Sequence, residues 1–311
     1  MRVRAYSTSA NLGPGFDVIG IAIDSFMDVV EVEVEAGGPD AIVTEVIGPY
    51  SREIAPGRDN SAAVAARTVL EYAEAKLTAK IKLWKGVPPG RGLGSSGASS
   101  AAAARAIDIL LGEVLREEEL IKAASEGERA AAGSPHPDNV APSLLGGMVI
   151  VGDEIVKIEP DVRFVLAIPW VPIPERKTEV MRSVLPDSIS LSSMVKNSSH
   201  LASLIVGMAY GDLKLAGKGM SYSLVDEARS RLIPGFKEVK EAAFRAGAYG
   251  ASISGAGPSM LFLCDECEKV RREVQEAYKR LGIPSSVLIA RVAEGAGEVE
   301  EGTFKCGRII D

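Results

Sequence analysis

Between Pro88 and Ser100 the chain reads Pro-Pro-Gly-Arg-Gly-Leu-Gly-Ser-Ser-Gly-Ala-Ser-Ser and runs on into Ala101, Ala102, Ala103 and Ala104. Glycines at alternate positions let a backbone take positive φ and approach a ligand closely. The serine–alanine run has the small side chains and the propensity to begin a helix directly after the loop. Ahead of it, residues 78–84 alternate polar and apolar, the period of a half-buried strand. Strand, glycine loop and helix start gather free N–H groups and the positive end of a helix dipole at one point, an anion site suited to a phosphate. Two familiar phosphate motifs do not account for it. No lysine follows the glycines, which excludes the Walker loop. Gly92, Gly94 and Gly97 satisfy G-x-G-x-x-G, but where a dinucleotide fold wants an acid ending a second strand the chain reads Arg116-Glu117-Glu118-Glu119-Leu120-Ile121, the charged start of a helix.

Three further stretches carry residues with chemical reach. The polar loop from Ser7 to Asp17 offers Asn11 and Asp17, which on local grounds are equally turn-capping residues. The stretch from Gly133 to Pro142 holds His136, one of two histidines, between two prolines, and reads as a rigid loop presenting His136, Asp138 and Asn139 together. Ser254-Gly255-Ala256-Gly257-Pro258-Ser259 is a third glycine loop. Cys264 and Cys267 form a C-x-x-C at a strand-to-helix junction; without further Cys or His partners it reads as two separately buried cysteines and neither a zinc site nor a redox pair.

The elements that must position these residues follow from periodicity. A first strand covers residues 2–6, with strands at 18–24, 29–35 and 41–47 and a helix over 62–75 begun by Asp59-Asn60-Ser61. The helix after the central loop reaches Leu111, and another spans 117–132, carrying Glu126 and Glu128 in its second half. Strands follow at 147–151, 154–158 and 163–169. Prolines at 160 and 169–174 place a domain boundary here, giving domains 1–158 and 159–311. The second half reads helix 191–210, helix 236–247, strand 248–253, strand 260–263, helix 268–281 and strand 286–290, a small α+β sandwich with helices on one face.

With 311 residues, 46% hydrophobic and 25% charged, the composition is that of an ordinary two-domain globular chain. A net charge of −7 and aromatics at 5% argue against a nucleic-acid surface. No run approaches the length of a membrane helix and the N-terminus has no signal-peptide core, so a cytoplasmic protein is expected.

Three glycine loops near the start, middle and end of one chain resemble the three signature motifs of the GHMP small-molecule kinases, over essentially the full length. Asn11-Leu12-Gly13-Pro14-Gly15-Phe16-Asp17 beside Pro135-His136-Pro137-Asp138-Asn139 resembles the branch that acts on L-homoserine. The resemblance implies a two-domain α+β GHMP kinase fold: an N-terminal ribosomal-protein-S5-like ATP-binding domain and a C-terminal ferredoxin-like α/β sandwich, the last strand free to pack back on the first domain. It implies ATP-dependent phosphorylation of the homoserine hydroxyl for threonine biosynthesis, with ATP and Mg²⁺, in a homodimer with no nucleic-acid or membrane partner. Carried over residue by residue, it puts the nucleotide on Pro89, Gly90, Arg91, Gly92, Leu93, Gly94, Ser95, Ser96, Gly97, Ala98 and Ser99, with Asn60 and Lys85 near the nucleoside. Ser96 and Glu128 would hold the metal. Asp17, His136 and Asp138 would surround the amino acid, Arg182 and Arg229 would take its carboxylate, and Asn139 and Asn11 would address the hydroxyl, with Thr178 and Gly257 near by. Whether Asp17 serves as a base or only binds substrate stays open. The alternatives are a GHMP kinase for mevalonate, shikimate or a sugar, and a non-catalytic sensor on the same fold.

Overall fold

The computed structural model describes residues 1–174 and 176–299 and two short strands beyond them; Cys306 lies outside the described residues. The first half builds β1 (Arg2–Ala10), β2 (Ile19–Ala36), β3 (Asp40–Ile47), α1 (Ser61–Tyr72), β4 (Leu77–Trp84), α2 (Ser95–Leu110), α3 (Glu117–Ala132), α4 (Pro137–Leu145), β5 (Met148–Val151) and β6 (Ile155–Ile158). The second builds β7 (Arg163–Pro169), α5 (Lys177–Ser183), α6 (Leu191–Tyr210), α7 (Leu213–Met220), α8 (Leu224–Arg229), α9 (Phe236–Arg245), β8 (Gly250–Ile253), β9 (Met260–Cys264), α10 (Cys267–Arg280), β10 (Ser285–Arg291), β11 (Gly297–Glu298), β12 (Phe304–Lys305) and β13 (Arg308–Ile309).

The first sheet runs β11-β1-β2-β4-β3, with β5 on the outer half of β2 and β6 beyond it; only β3 and β4 run parallel. The two strands expected at 18–24 and 29–35 are one. Opposite β1 the register jumps from Met27 to Ile23 between Tyr6 and Ser7, so the polar interruption at Asp24 and Ser25 is a bulge rather than a turn. Helices α1, α2 and α4 cover one face of this sheet, and α3 packs against all three of them. Their alanines, Ala62, Ala63, Ala65 and Ala66 on α1 and Ala101 to Ala104 on α2, are fully buried, which lets the helices approach closely.

The second sheet, β10-β7-β9-β8, is antiparallel throughout. Helices were expected on one of its faces; both are covered. On β7, Val165 and Ala167 face the core under α9 and α10, while Phe164, Leu166 and Ile168 face a different core. That second core joins α6 and α7 to Ile19, Ile21 and Ile23 of β2 and to Leu12, Val87 and Leu93. A strand apolar at every position is the expected reading of burial on two faces. After β10 the chain returns to the first sheet, where β11 pairs with β1. Cys264 and Cys267, expected to be separate, are joined by a disulfide: the first turn of α10 brings the two thiols together at the end of β9.

The 133–142 stretch is a loop only as far as His136. Pro137 opens α4 at its first helical position, where a proline's missing N–H is not needed and its fixed φ suits the helix. What lets α4 lie across β2 is Gly20: a Cβ there would fall 1.7 Å from the carbonyl oxygen of Asp138. Gly20→Ala is therefore expected to displace the first turn of α4 while adding only a methyl group. The check is activity against melting temperature, with turnover falling at least tenfold for a loss of only a few degrees.

Candidate active site

The first turn of α2 rests on a buried charge pair. Asp28 and Lys85 are both shielded from solvent, and the Lys85 ammonium bonds to the Asp28 carboxylate, to the Ser95 carbonyl at 2.6 Å and to Ser99 Oγ at 2.9 Å. Ser99 Oγ donates to the same carboxylate, whose other oxygen accepts the N–H groups of Gly86 and Val87, each at 2.9 Å. Lys85 thus stands beneath the helix start, with all three of its donors engaged there. Gly94 precedes the helix at φ 61°, and a Cβ on it would lie 2.0 Å from Thr8 Oγ1. Glycine satisfies both constraints at once. Ser95 Oγ is engaged by the Val87 carbonyl.

Ser96 stands beside Glu128 in the cavity wall. Glu128 is buried, one of its carboxylate oxygens has no hydrogen-bond partner, and burial pushes its pKa up to about 7 against the opposing influence of Ser96 and Lys85. An orphaned buried carboxylate oxygen beside a serine hydroxyl is a donor set that fits a hard divalent cation completed by water and phosphate oxygens. Asp138, in the first turn of α4, is likewise raised to about 7, by burial first and then by the charges of Asp17 and Glu128. Asn139 next to it accepts from Thr8 Oγ1 at 3.0 Å through its side-chain oxygen and approaches Asp138 with its amide nitrogen at 3.4 Å.

At the other end the first loop meets α5 and α8. Asn11, at φ 77°, donates to the Gly255 carbonyl at 3.1 Å and accepts the Asp17 N–H, so both ends of its amide are held. Arg182 donates to both Asp17 oxygens, at 2.8 and 3.1 Å. Arg229 is buried and donates to the carbonyls of Met181 and Gly255. Phe16 lies under both guanidinium groups, 5.5 Å from Arg182 and 5.3 Å from Arg229. His136 bonds Ser134 Oγ at 3.1 Å, and burial with the nearby arginines lowers its pKa.

These groups line one cavity of about 1160 Å³, along with Asn60, Pro89, Gly90, Gly92, Leu93, Thr178 and the 53–59 turn. Asn60 caps α1 through Ala62 N and donates to the Ala55 carbonyl, so it shapes the rim rather than projecting into it. Four expected residues do not line the cavity. Arg91 turns outward to the carbonyls of Pro169 and Val171 and packs over Trp170. Gly97 and Ala98 are inside α2, and a Cβ on Gly97 would lie 3.5 Å from Asn139 Cβ and 3.6 Å from Glu128 Oε2. Gly257 stands behind the wall, where a Cβ would meet Ile233 at 2.6 Å.

Two segments of the chain match family models, "GHMP kinases N terminal domain" over residues 60–147 and "GHMP kinases C terminal" over 201–280. A curated homoserine kinase of Aeropyrum pernix is 43% identical over 87% of this chain and 88% of its own length. The chain belongs to the GHMP kinase family. It is accordingly a phosphotransferase, and the family uses ATP. A homoserine kinase of Thermoplasma volcanium is 40% identical over 94% of both chains, and the crystal structure of homoserine kinase from Cytophaga hutchinsonii superposes with a TM-score of 0.86 at 33% identity, covering 96% of each. A mevalonate kinase crystal structure at 15% identity and a TM-score of 0.69 shares the GHMP fold alone.

Reading the sequence missed Asp28, Phe16 and Lys177. Asp28 was visible as the one acid between Met27 and Val29 in an apolar strand; Lys177 follows the prolines read as a domain boundary, with no local pattern to mark it. Glu128 and Asp138 impose a pH signature. A carboxyl raised on folding holds its proton where the unfolded chain has lost it, so stability falls as pH rises from about 4 to about 7. Glu128→Gln and Asp138→Asn are expected to raise the melting temperature of the ligand-free protein by a few degrees at pH 8, to leave it unchanged at pH 4, and to abolish turnover. Calorimetry at the two pH values checks this.

Proposed function

We propose that this GHMP kinase transfers the γ-phosphoryl group of ATP to the side-chain hydroxyl of L-homoserine, releasing ADP and O-phospho-L-homoserine. The observation that carries the reading is the charge pattern beside the anion site: Asp17 and Asp138 facing Arg182 and Arg229 within one cavity. A zwitterionic amino acid needs both signs, and a guanidinium fork matches its carboxylate. Mevalonate, shikimate and sugars carry no ammonium. The curated homoserine kinases among the relatives point the same way.

On this reading the phosphates lie along the backbone amides from Gly90 to Ser96, with the nucleoside toward Asn60 and the 53–59 turn. Ser96 and Glu128 would hold Mg²⁺, which would supply neutralisation of phosphate charge. Arg182 and Arg229 bind the carboxylate; Asp17, Asp138 and His136 enclose the ammonium. Asn139, fixed by Thr8, orients the hydroxyl, with Asn11 and Thr178 completing its surroundings and Gly257 set behind them. The new O–P bond forms as the bond from Pγ to the β,γ-bridging oxygen breaks, and the hydroxyl proton passes to a γ-phosphoryl oxygen. Positioning and charge neutralisation suffice for such transfer. Asp17, ion-paired to Arg182, is left as a substrate ligand.

The same reading takes 1–158 and 159–311 as the two domains and a homodimer as the working form. Support for the latter is the row of exposed apolar residues Leu191, Met194, Val195, Val206 and Tyr210 on α6, which sedimentation would test.

The deciding measurement is ADP release with Mg-ATP against L-homoserine, D-homoserine, L-threonine, L-serine, mevalonate, shikimate and galactose. Turnover is expected to be dominated by L-homoserine and to fall at least a hundredfold in Asn139→Leu with nucleotide affinity intact. Preference for mevalonate or a sugar overturns the substrate, and no turnover despite ATP binding points to a sensor.

A further inference from the structure

Lys177, the first residue of α5, has no part in the reading above. Its ammonium donates to the Gly90 carbonyl of the phosphate loop at 2.9 Å and makes a shorter bond to the Gly257 carbonyl of the third glycine loop. The side chain lines the cavity. An ammonium has three N–H donors, so one remains for a ligand. Among the described residues no carboxylate pairs with it; the charges closest in influence are the cations Arg229 and Arg91, which with burial as the main cause push its pKa down to about 7. A cation held among carbonyls and other cations is costly until an anion joins it.

We infer that Lys177 is the cationic ligand of the phosphoryl group in transit, placed where the nucleotide loop meets the third glycine loop. The two sides of the reaction touch this one side chain, through Gly90 on the nucleotide side and Gly257 on the acceptor side. The planar forks of Arg182 and Arg229 suit a carboxylate, whereas a compact ammonium suits the oxygens of a tetrahedral phosphoryl group. The inference deepens the phosphotransferase reading and holds for any hydroxyl acceptor, so it stands or falls separately from homoserine.

The test is calorimetric titration of the full-length protein and of Lys177→Met and Lys177→Gln with Mg-ADP, with the Mg complex of the non-hydrolysable β,γ-imido analogue of ATP, and with L-homoserine. Both substitutions are expected to weaken the analogue about ten- to hundredfold, the effect of one charged hydrogen bond, and ADP less than threefold. The native protein should take up a proton on binding the analogue at pH 8, read from the dependence of the heat on buffer ionisation, and the variants should not. Glutamine keeps N–H donors for the two carbonyls, so it separates the charge from the bridge if Lys177→Met folds poorly. Equal weakening of both nucleotides would reduce Lys177 to a strut between loops. A loss confined to L-homoserine would make it a carboxylate ligand, and unchanged affinities would remove it from the site; each outcome overturns the inference.

Discussion

A buried ion pair governs this structure. Asp28 and Lys85 lie 57 residues apart and are both removed from water. Such a pair is tolerable only when its remaining hydrogen-bonding capacity is filled. Here it is filled entirely by the anion site: two amides at the start of the phosphate loop, the Ser95 carbonyl and the Ser99 hydroxyl. The loop and the helix that follows are bolted to β2 and β4 by charge as well as by packing. Taking away one partner would strand the other in the interior, at a cost of about 3–5 kcal/mol, and release the helix start as well.

The polar groups of the site gain their aim from apolar neighbours. Leu12 and Leu93 are fully buried in the core shared by the two sheets, and each is followed or preceded by a backbone bend at positive φ. Asn11, beside Leu12, and Gly94, beside Leu93, are turned toward the cavity as a result. Met181 does the same for α5, lying in the core under α9 and α10 while its carbonyl holds Arg229. Each functional loop thus alternates an anchor with a working residue, which is how a loop acquires the rigidity that phosphoryl transfer needs.

What could be read from the chain follows the distance over which its cause acts. The phosphate loop and α2 were legible because glycine spacing and an alanine run are local, and α6 because its apolar pattern is long. The α4 start was misread because a proline stops a helix from within but suits its first turn, and only the gap above Gly20 decides between them. The pairing of Lys85 was not legible because its partner, Asp28, comes from a strand far off in sequence. Arg182 and Arg229 were named only by resemblance to a family; Asp17 and Asp138 stood out in their own stretches, though local sequence left Asp17 equally a turn residue. The cysteine pair escaped because Cys264 and Cys267 are so near in sequence that only the turn into α10 reveals their approach.

The cavity lies between two sheets, an arrangement that suggests jaws, yet the sheets are fused behind it. Ile19, Ile21 and Ile23 of β2 share one apolar core with Phe164, Leu166 and Ile168 of β7 and with Leu204 and Met208 of α6. Swinging the sheets apart would wet that whole layer, at about 25 cal/mol for each Å² exposed. The chain is a vice already tightened, and any gate must be small enough to move without disturbing it. Among the walls of the cavity, α5 is the short element joined to the rest by a single buried side chain, Met181, and by polar contacts at its two ends. Admission and release would then be the business of seven residues, not of a domain.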